Sequence, residues 1–354
     1  MEWLKKHKFP VLLNAVLVLL SLVCVFGYVS VSNTLHHIDS AESWEGEGDA
    51  EYAYISCFMP VNKKIEESAV YSFEKTVDSK LLEASIDSSG EGKLWNFAYS
   101  GNGIVEISTG RGSAKVTATG IGGDFFFFHR PFLRDGNYIS GNDLMKDCIV
   151  IDKNLAWKLF GAVEVSGMEV LIGGNRFIIS GVIEPEEDFA SEKARISDGG
   201  LYMSYEKLAE ISGAKIDCYE AVIPNPVSGF AKGIAVENFP AEGFETVEVD
   251  KRYKTGNIFD VIFSFGKRSM RTDGIIFPEW ENAARLTEDY CAMFLAFGMV
   301  FAVTPAVFAV ILIRKYGKIY GIKCFEIIKE KTEKIIDDHN RKIYERNLSE
   351  KNKE

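Results

Sequence analysis

No Asp, Glu, Lys or Arg occurs between Phe9 and Ile38, and none occurs from Tyr290 to Ile313. Roughly 20 helical residues cross the hydrocarbon core of a bilayer, and each uncharged run is at least that long and mainly apolar. The sequence therefore predicts two membrane spans, 10–32 and 290–313, around a middle segment 33–289. A cleaved signal peptide shares the basic start and apolar run of the first span. Its apolar region is usually about 7–15 residues, and small residues at cleavage spacing are unconvincing near Ser30 and Ser32, so a retained anchor is expected.

The flanks set an orientation. Lys5, Lys6 and Lys8 precede the first run and Arg314, Lys315 and Lys318 follow the second, whereas Asp39, Glu42 and Glu45 follow the first and Glu281, Glu288 and Asp289 precede the second. Basic residues favour the cytoplasmic side, which places both termini inside and 33–289 outside. The formal net charge of −11 divides unevenly: 1–9 carry +2 and 314–354 carry +4, which leaves −17 for 10–313. A segment that acidic excludes nucleic acid as an expected ligand and is best read as a solvated surface.

Six cysteines are spread over three environments. Cys24 and Cys291 lie in the spans, Cys324 in the tail, and Cys57, Cys148 and Cys218 in the outer segment, too sparse for a disulfide framework. The Gly-rich segments 101–103, 110–112 and 120–123 all lack the GxxxxGK[ST] phosphate loop, and no GxSxG or HExxH occurs. His36 and His37 read as a solvated pair beyond the first span, His129 as a polar strand end, and Glu184–Asp188 as an exposed acidic turn rather than a calcium loop. No catalytic, cofactor or metal constellation can be named, and no enzyme activity is expected.

The outer segment reads as mixed helix and strand. Tyr52–Met59 is a strand, and Ile65, Ala69, Val70, Phe73, Val77 and Leu81 recur at helical spacing. Strands are expected at Lys93–Tyr99, Ile104–Ser108 and Ala114–Gly120, divided by glycine turns, with Gly120–Gly123 turning into a buried strand at Phe125–Phe128. Ile149–Ile151 runs into a helix Asn154–Phe160 stopped by Gly161, and Met168–Ile172 and Arg176–Ile183 form a hairpin across Gly173-Gly174-Asn175. Ser204 is placed to cap a helix through Ile211, and Cys218–Ile223 is a strand. A helix over Val227–Asn238 and strands near Thr246–Val249 and Phe259–Phe265 complete the outer segment. Strands and helices do not alternate regularly, so the expected class is α+β, a two-lobed domain inserted between two transmembrane helices.

The stretch Ala118–Ala190, with DFFFFHRPFLRDGNYIS, CIVIDKNLAWKLFG and VSGMEVLIGGNRFIISGVIE in that order, resembles the periplasmic core domain of MacB-type ABC transporter permeases. Gly136, Leu159, Phe160, Gly161, Gly167, Phe177, Gly181 and Val182 fall on the motif positions, where the resemblance implies turns and core. It also implies a cell-membrane protein, in bacteria the inner or plasma membrane, that takes part in transport or efflux by mechanotransmission. Such a domain follows the first span and relays ATP-driven motion. A MacB-type permease has three spans after this domain and this chain has one, so the transmembrane portion is expected to be truncated: either the chain is a two-span accessory subunit, completed by a separate ATPase subunit and a permease subunit or second copy, or it lacks the remainder of a permease. The alternative is an extracytoplasmic binding or sensing module without transport activity.

The remaining features concern the second span and the cytoplasmic helical tail, 314–354. Pro305 is a candidate helix kink and Gly298 a point of close helix contact. Phe325, Ile328, Ile335, Ile336 and Ile343 share seven-residue spacings in the tail, a candidate interface with an ATPase or second copy; an amphipathic helix on the membrane surface fits the same pattern.

Overall fold

The computed structural model describes residues 8–34, 39–46, 51–86, 93–110, 112–195 and 199–351, with backbone alone at 316, 318–328 and 335–351. His36 and His37 lie outside the described residues, as do the side chains of Phe325, Ile328, Ile335, Ile336 and Ile343, whose backbone is helical.

Helix α1 (Lys8–Ser32) is followed by α2 (Ser40–Glu45), strand β1 (Tyr52–Phe58) and α3 (Glu67–Glu83). Strands β2 (Asn96–Ser108) and β3 (Ser113–Gly123) lead through α4 (Phe125–Phe128) to β4 (Phe132–Gly136), β5 (Cys148–Asp152) and α5 (Lys153–Phe160). Then come β6 (Glu169–Ile172), β7 (Asn175–Glu184), α6 (Phe189–Ala194), β8 (Leu201–Ser204), α7 (Tyr205–Ser212), β9 (Cys218–Pro224), α8 (Phe230–Asn238) and β10 (Glu245–Glu248). Helix α9 (Thr255–Val261) continues as a 3-10 turn, Ile262–Ser264, and α10 runs from Glu279 to Lys351.

The strands form one sheet in the order β10-β1-β9-β2-β3-β8-β5-β7-β4, with β6 paired to β2 and β7. Among the described strands only β3/β8 and β5/β7 are parallel. Successive side chains of a strand point to opposite faces, and the core divides accordingly. On one face two separate clusters make the two lobes. Ala53, Ile55 and Cys57 of β1 with Tyr219 and Ala221 of β9 pack under Val70, Phe73, Val77 and Leu81 of α3. Ile149 and Ile151 of β5 with Phe177 and Ile179 of β7 pack under Leu155 and Leu159 of α5 and Leu208 of α7. The alternate residues, Tyr54, Val222 and Val150, meet on the opposite face in a third cluster that crosses both lobes and includes Phe125 and Phe128.

Local signals explain several boundaries. Asp152 accepts the Leu155 N–H at 2.7 Å to start α5, and Gly161 ends it in the left-handed region. Gly173 and Gly174 turn the β6/β7 hairpin with φ of +56° and +84°, as a two-residue loop of that kind requires.

Four expectations are corrected. Gly101–Gly103 and Gly120–Gly122 are strand interior, not turns: a Cβ on Gly101 would lie 2.4 Å from the Lys215 carbonyl oxygen, and one on Gly122 would lie 2.0 Å from the Tyr99 ring. Glycine is there for close approach. Phe125–Phe128 is one turn of helix rather than a strand, because Gly123 (φ +63°) reverses the chain and the i, i+3 pair Phe125 and Phe128 then enters the third cluster together. Phe259–Ser264 is helical, with Phe265 in the turn that follows, and not a strand; Ile258 and Val261, three apart, share one buried face. Ser204 makes no side-chain cap bond to α7.

The α3 helix supplies a pH prediction. Glu74 has a buried Oε1 without a hydrogen-bond partner among the described residues. Burial, then the neighbouring Asp78, raises its carboxyl from 4.5 to about 7, against the pull of Lys93. The folded state thus holds this proton more tightly than the unfolded chain, so the contribution to stability is full below pH 4.5 and is lost as the pH rises through 7. Glu74→Gln should raise stability at pH 8 by about 1 kcal/mol, the part of the shift left after solvent screening, and change little near pH 4.5. Urea unfolding of the full chain in detergent at both pH values checks it.

The described chain divides into two compact units, 27–295 and the helical stretches 8–26 with 296–351. The second unit holds most of two helices long and apolar enough to cross a membrane. Within it, Ser21 Oγ donates to the Gly298 carbonyl at 3.3 Å, and a Cβ on Gly298 would touch the Cys24 Cβ at 3.4 Å. Glycine lets the helices meet there. Helix α10 continues through Pro305, which has no N–H to give to the Phe301 carbonyl four residues back.

Candidate functional site

The most heavily constrained polar region of unit 27–295 is the start of α10. Glu281, Arg285 and Glu288 recur at spacings of four and three, so they stand on one helical face. That face is buried: Arg252, Glu281, Arg285 and Glu288 are each at most 4% exposed. Glu281 accepts both terminal nitrogens of Arg252 at 2.9 Å in a bidentate fork and Nε of Arg285 at 2.6 Å. Glu288 accepts Nε of Arg252 at 2.7 Å and also pairs with Arg268, while Arg285 Nη2 reaches Glu245 at 2.5 Å. The Arg285 guanidinium also lies 3.7 Å from the centroid of the Phe277 ring.

Three arginines and three glutamates balance in formal charge. Planar guanidinium forks suit such a cluster, since they satisfy carboxylates bidentately while losing little water. Burial alone pushes the Glu281 carboxyl up, but Arg252 and Arg285 outweigh it and hold the group below its ordinary range. The network ties the first turns of α10 to β10 through Glu245 and to the segment after it through Arg252 and Arg268. Further bonds fix the same turns: Asn282 Oδ1 accepts the Met270 N–H at 2.8 Å, and Tyr253 donates to the Ala284 carbonyl at 3.3 Å. Glu281 and Glu288, read from sequence as acidic residues preceding the second span, are thus paired and buried.

Beside this root lies a cavity of about 310 Å³. Phe125, Phe126, Tyr202, His129 and Trp280 supply an aromatic wall, and Asp39, Arg130, Arg195 and Glu279 add charge. His129 is not a simple strand end. It is buried, its ring centroid lies 4.6 Å from Phe125 and 4.5 Å from Trp280, and Nε2 meets Glu220 Oε2 at 2.7 Å. Glu220, on β9, is buried and also accepts Tyr54 OH at 2.5 Å and Ser56 Oγ at 3.3 Å. This network crosses the third cluster and ends at the first turn of α10. The acidic turn 184–188 contributes too: Pro185 and Glu186 line the cavity, and Asp188 caps α6 through the Ala190 and Ser191 N–H groups.

The motif residues sit in the framework behind the cavity. Gly136 and Gly181 pair between β4 and β7, Val182 and Phe177 are buried in β7, and Leu159 is buried in α5 with Phe160 packed at the cluster's edge. Gly167 turns at φ +82°, and its N–H donates to the Ile179 carbonyl at 2.7 Å. None of them lines the cavity; neighbouring Ile183 does. Sequence reasoning missed Arg252, Arg268, Glu220 and Glu245 because their partners are far along the chain. Only the 281/285/288 stripe was available to point to them.

No family model and no curated protein matches the chain. Among solved structures it is similar to an extracellular domain of an ABC-type transporter, a periplasmic region of MacB and a domain of a permease protein. One is the extracellular domain of the transporter YknZ from Gram-positive bacteria, at 16% identity and a TM-score of 0.38 over 55% of this chain and 99% of that one. Another is the periplasmic region of MacB from Actinobacillus actinomycetemcomitans, at 15% identity and 0.41 over 56% and 90%. A third is a domain of a protein assigned as a permease, from Porphyromonas gingivalis, at 12% identity and 0.33 over 64% and 98%.

Proposed function

We propose that the protein is a membrane-anchored, permease-like or accessory component of an ABC transport system, non-catalytic itself, that relays motion between a separate ATPase and unit 27–295. The observation that carries this reading is the buried Arg252–Glu281–Arg285–Glu288 network at the root of α10. It holds the start of a helix of 73 residues that contains one candidate span and ends in a basic tail. A force on that helix is delivered to β10 and β1 instead of being absorbed in a loop. The motif order in 118–190 supports the same reading, with 33–289 extracytoplasmic and both termini inside.

Purification in mild detergent from cells expressing the native partners tests it. The expected result is co-recovery of an ATPase subunit that is lost when 314–354 is deleted. Recovery of the intact chain without any ATPase would sink the proposal. The cavity favours a second reading, an extracytoplasmic binding or sensing module. In that case the tail deletion leaves function intact and substitutions at the aromatic wall abolish it.

A further inference from the structure

We infer that residues 254–270 form a collar seated in the headgroup layer of the outer leaflet, a surface built to meet lipid. The inference rests on the reading that α1 and α10 cross the membrane. The inner face of this segment is apolar and occupied: Ile258, Val261 and Ile262 pack against Tyr28 and Val31 of α1 and against Cys291, Ala292 and Leu295 of α10. Tyr28 also donates to the Tyr253 carbonyl at 2.6 Å. These contacts are at the last residues of one apolar helix and the first uncharged residues of the other. Whatever packs there lies at the plane where the spans leave the hydrocarbon.

The outer face carries exposed aromatic rings as well, and among the described residues nothing covers them. Phe259, Phe263 and Phe265 are 45%, 76% and 50% exposed, Met270 is 42% exposed, and the Phe259 and Phe263 rings meet edge to face at 5.8 Å. Single exposed apolar residues need no explanation, but three phenylalanines within seven residues make a patch. Lys254 and Lys267 flank it, both exposed, and the one acid of residues 254–270, Asp260, stands exposed beside Phe259; the stretch is net basic although 10–313 as a whole is strongly acidic. An apolar face bordered by basic residues is the pattern of a helix lying in the interface, buried by about 5–10 Å among headgroups. From Tyr28 to the end of α1, four residues of helical rise give about 6 Å, which matches that depth. Continuity with the two span roots and the basic border identify the occupant as an anionic bilayer surface rather than a protein.

Three tryptophan variants of the full chain test this, each compared with the parent chain in phosphatidylcholine–phosphatidylglycerol vesicles containing brominated acyl chains. The extra emission of Phe263→Trp should be quenched at least about twofold by brominated lipid and be protected from aqueous iodide. The extra emission of Leu82→Trp, at an exposed position of α3, should show the reverse. Phe26→Trp, on the exposed face of α1, reports on the spans themselves. If F26W is quenched by lipid while F263W is quenched by iodide, the collar is overturned and the spans stand. If neither F26W nor F263W responds to lipid, the membrane reading falls and the collar with it.

Discussion

Replacing Glu281 with alanine should cost about 3–5 kcal/mol and lower the melting temperature of unit 27–295 by about 10 °C. The carboxylate is the shared partner of Arg252 and Arg285, both almost fully buried. Its removal leaves two guanidinium groups short of a counter-charge in a dry site, and that penalty exceeds the lost hydrogen bonds. The double variant Arg252→Met, Glu281→Ala should be less destabilised than the sum of its single changes, since a charge is removed from each side. Thermal unfolding of the full chain in nanodiscs, followed by near-ultraviolet circular dichroism, measures both. A loss under about 1 kcal/mol for Glu281→Ala would mean that water reaches the network and that it does not clamp α10.

The second large effect is expected at a glycine. Gly136 has φ +72°, and a Cβ there would lie 2.0 Å from the Ser180 carbonyl oxygen and 3.0 Å from the Gly181 Cα. Those atoms belong to β7, which pairs on both sides and cannot retreat. Gly136→Ala should therefore destabilise the protein by more than about 3 kcal/mol, through strain and overlap together. Gly161 has nearly the same φ, +70°, with open space around it. Gly161→Ala should cost only the left-handed penalty, about 1 kcal/mol. Chemical denaturation of the pair separates the two causes; equal losses would show that backbone conformation alone matters at Gly136.

These two sites also mark where sequence reading succeeds and fails. The long apolar helices were legible because absence of charge is a one-dimensional property. Helix α5 and the β6/β7 hairpin were legible because Gly161, Gly173 and Gly174 punctuate them at their own positions. Phe125–Phe128 and Phe259–Phe265 were misread because a short apolar run fits a strand or a helix equally until its packing partners are known. Gly101 and Gly122 were misread for a related reason: the Lys215 carbonyl and the Tyr99 ring that exclude a side chain are distant or on another strand. The ion network was the least visible feature. Arg252 is 29 residues from Glu281, and Arg285 is 40 from Glu245, so no local pattern joins them.

The sheet order has a consequence for crowding among copies of the chain. Among the described residues its borders are β10 and β4, each paired to a strand on one side alone, the arrangement that can recruit another chain. Both are defended. Strand β10 is four residues long with a glutamate at each end, and β4 follows Pro131, carries Arg134 and Asp135, and slips register between Leu133 and Asp135. Short, charged and irregular borders resist strand addition, so many copies held side by side can stay separate. Any assembly among them would have to form through helices or side-chain surfaces, leaving the ten-stranded sheet of each copy complete in itself.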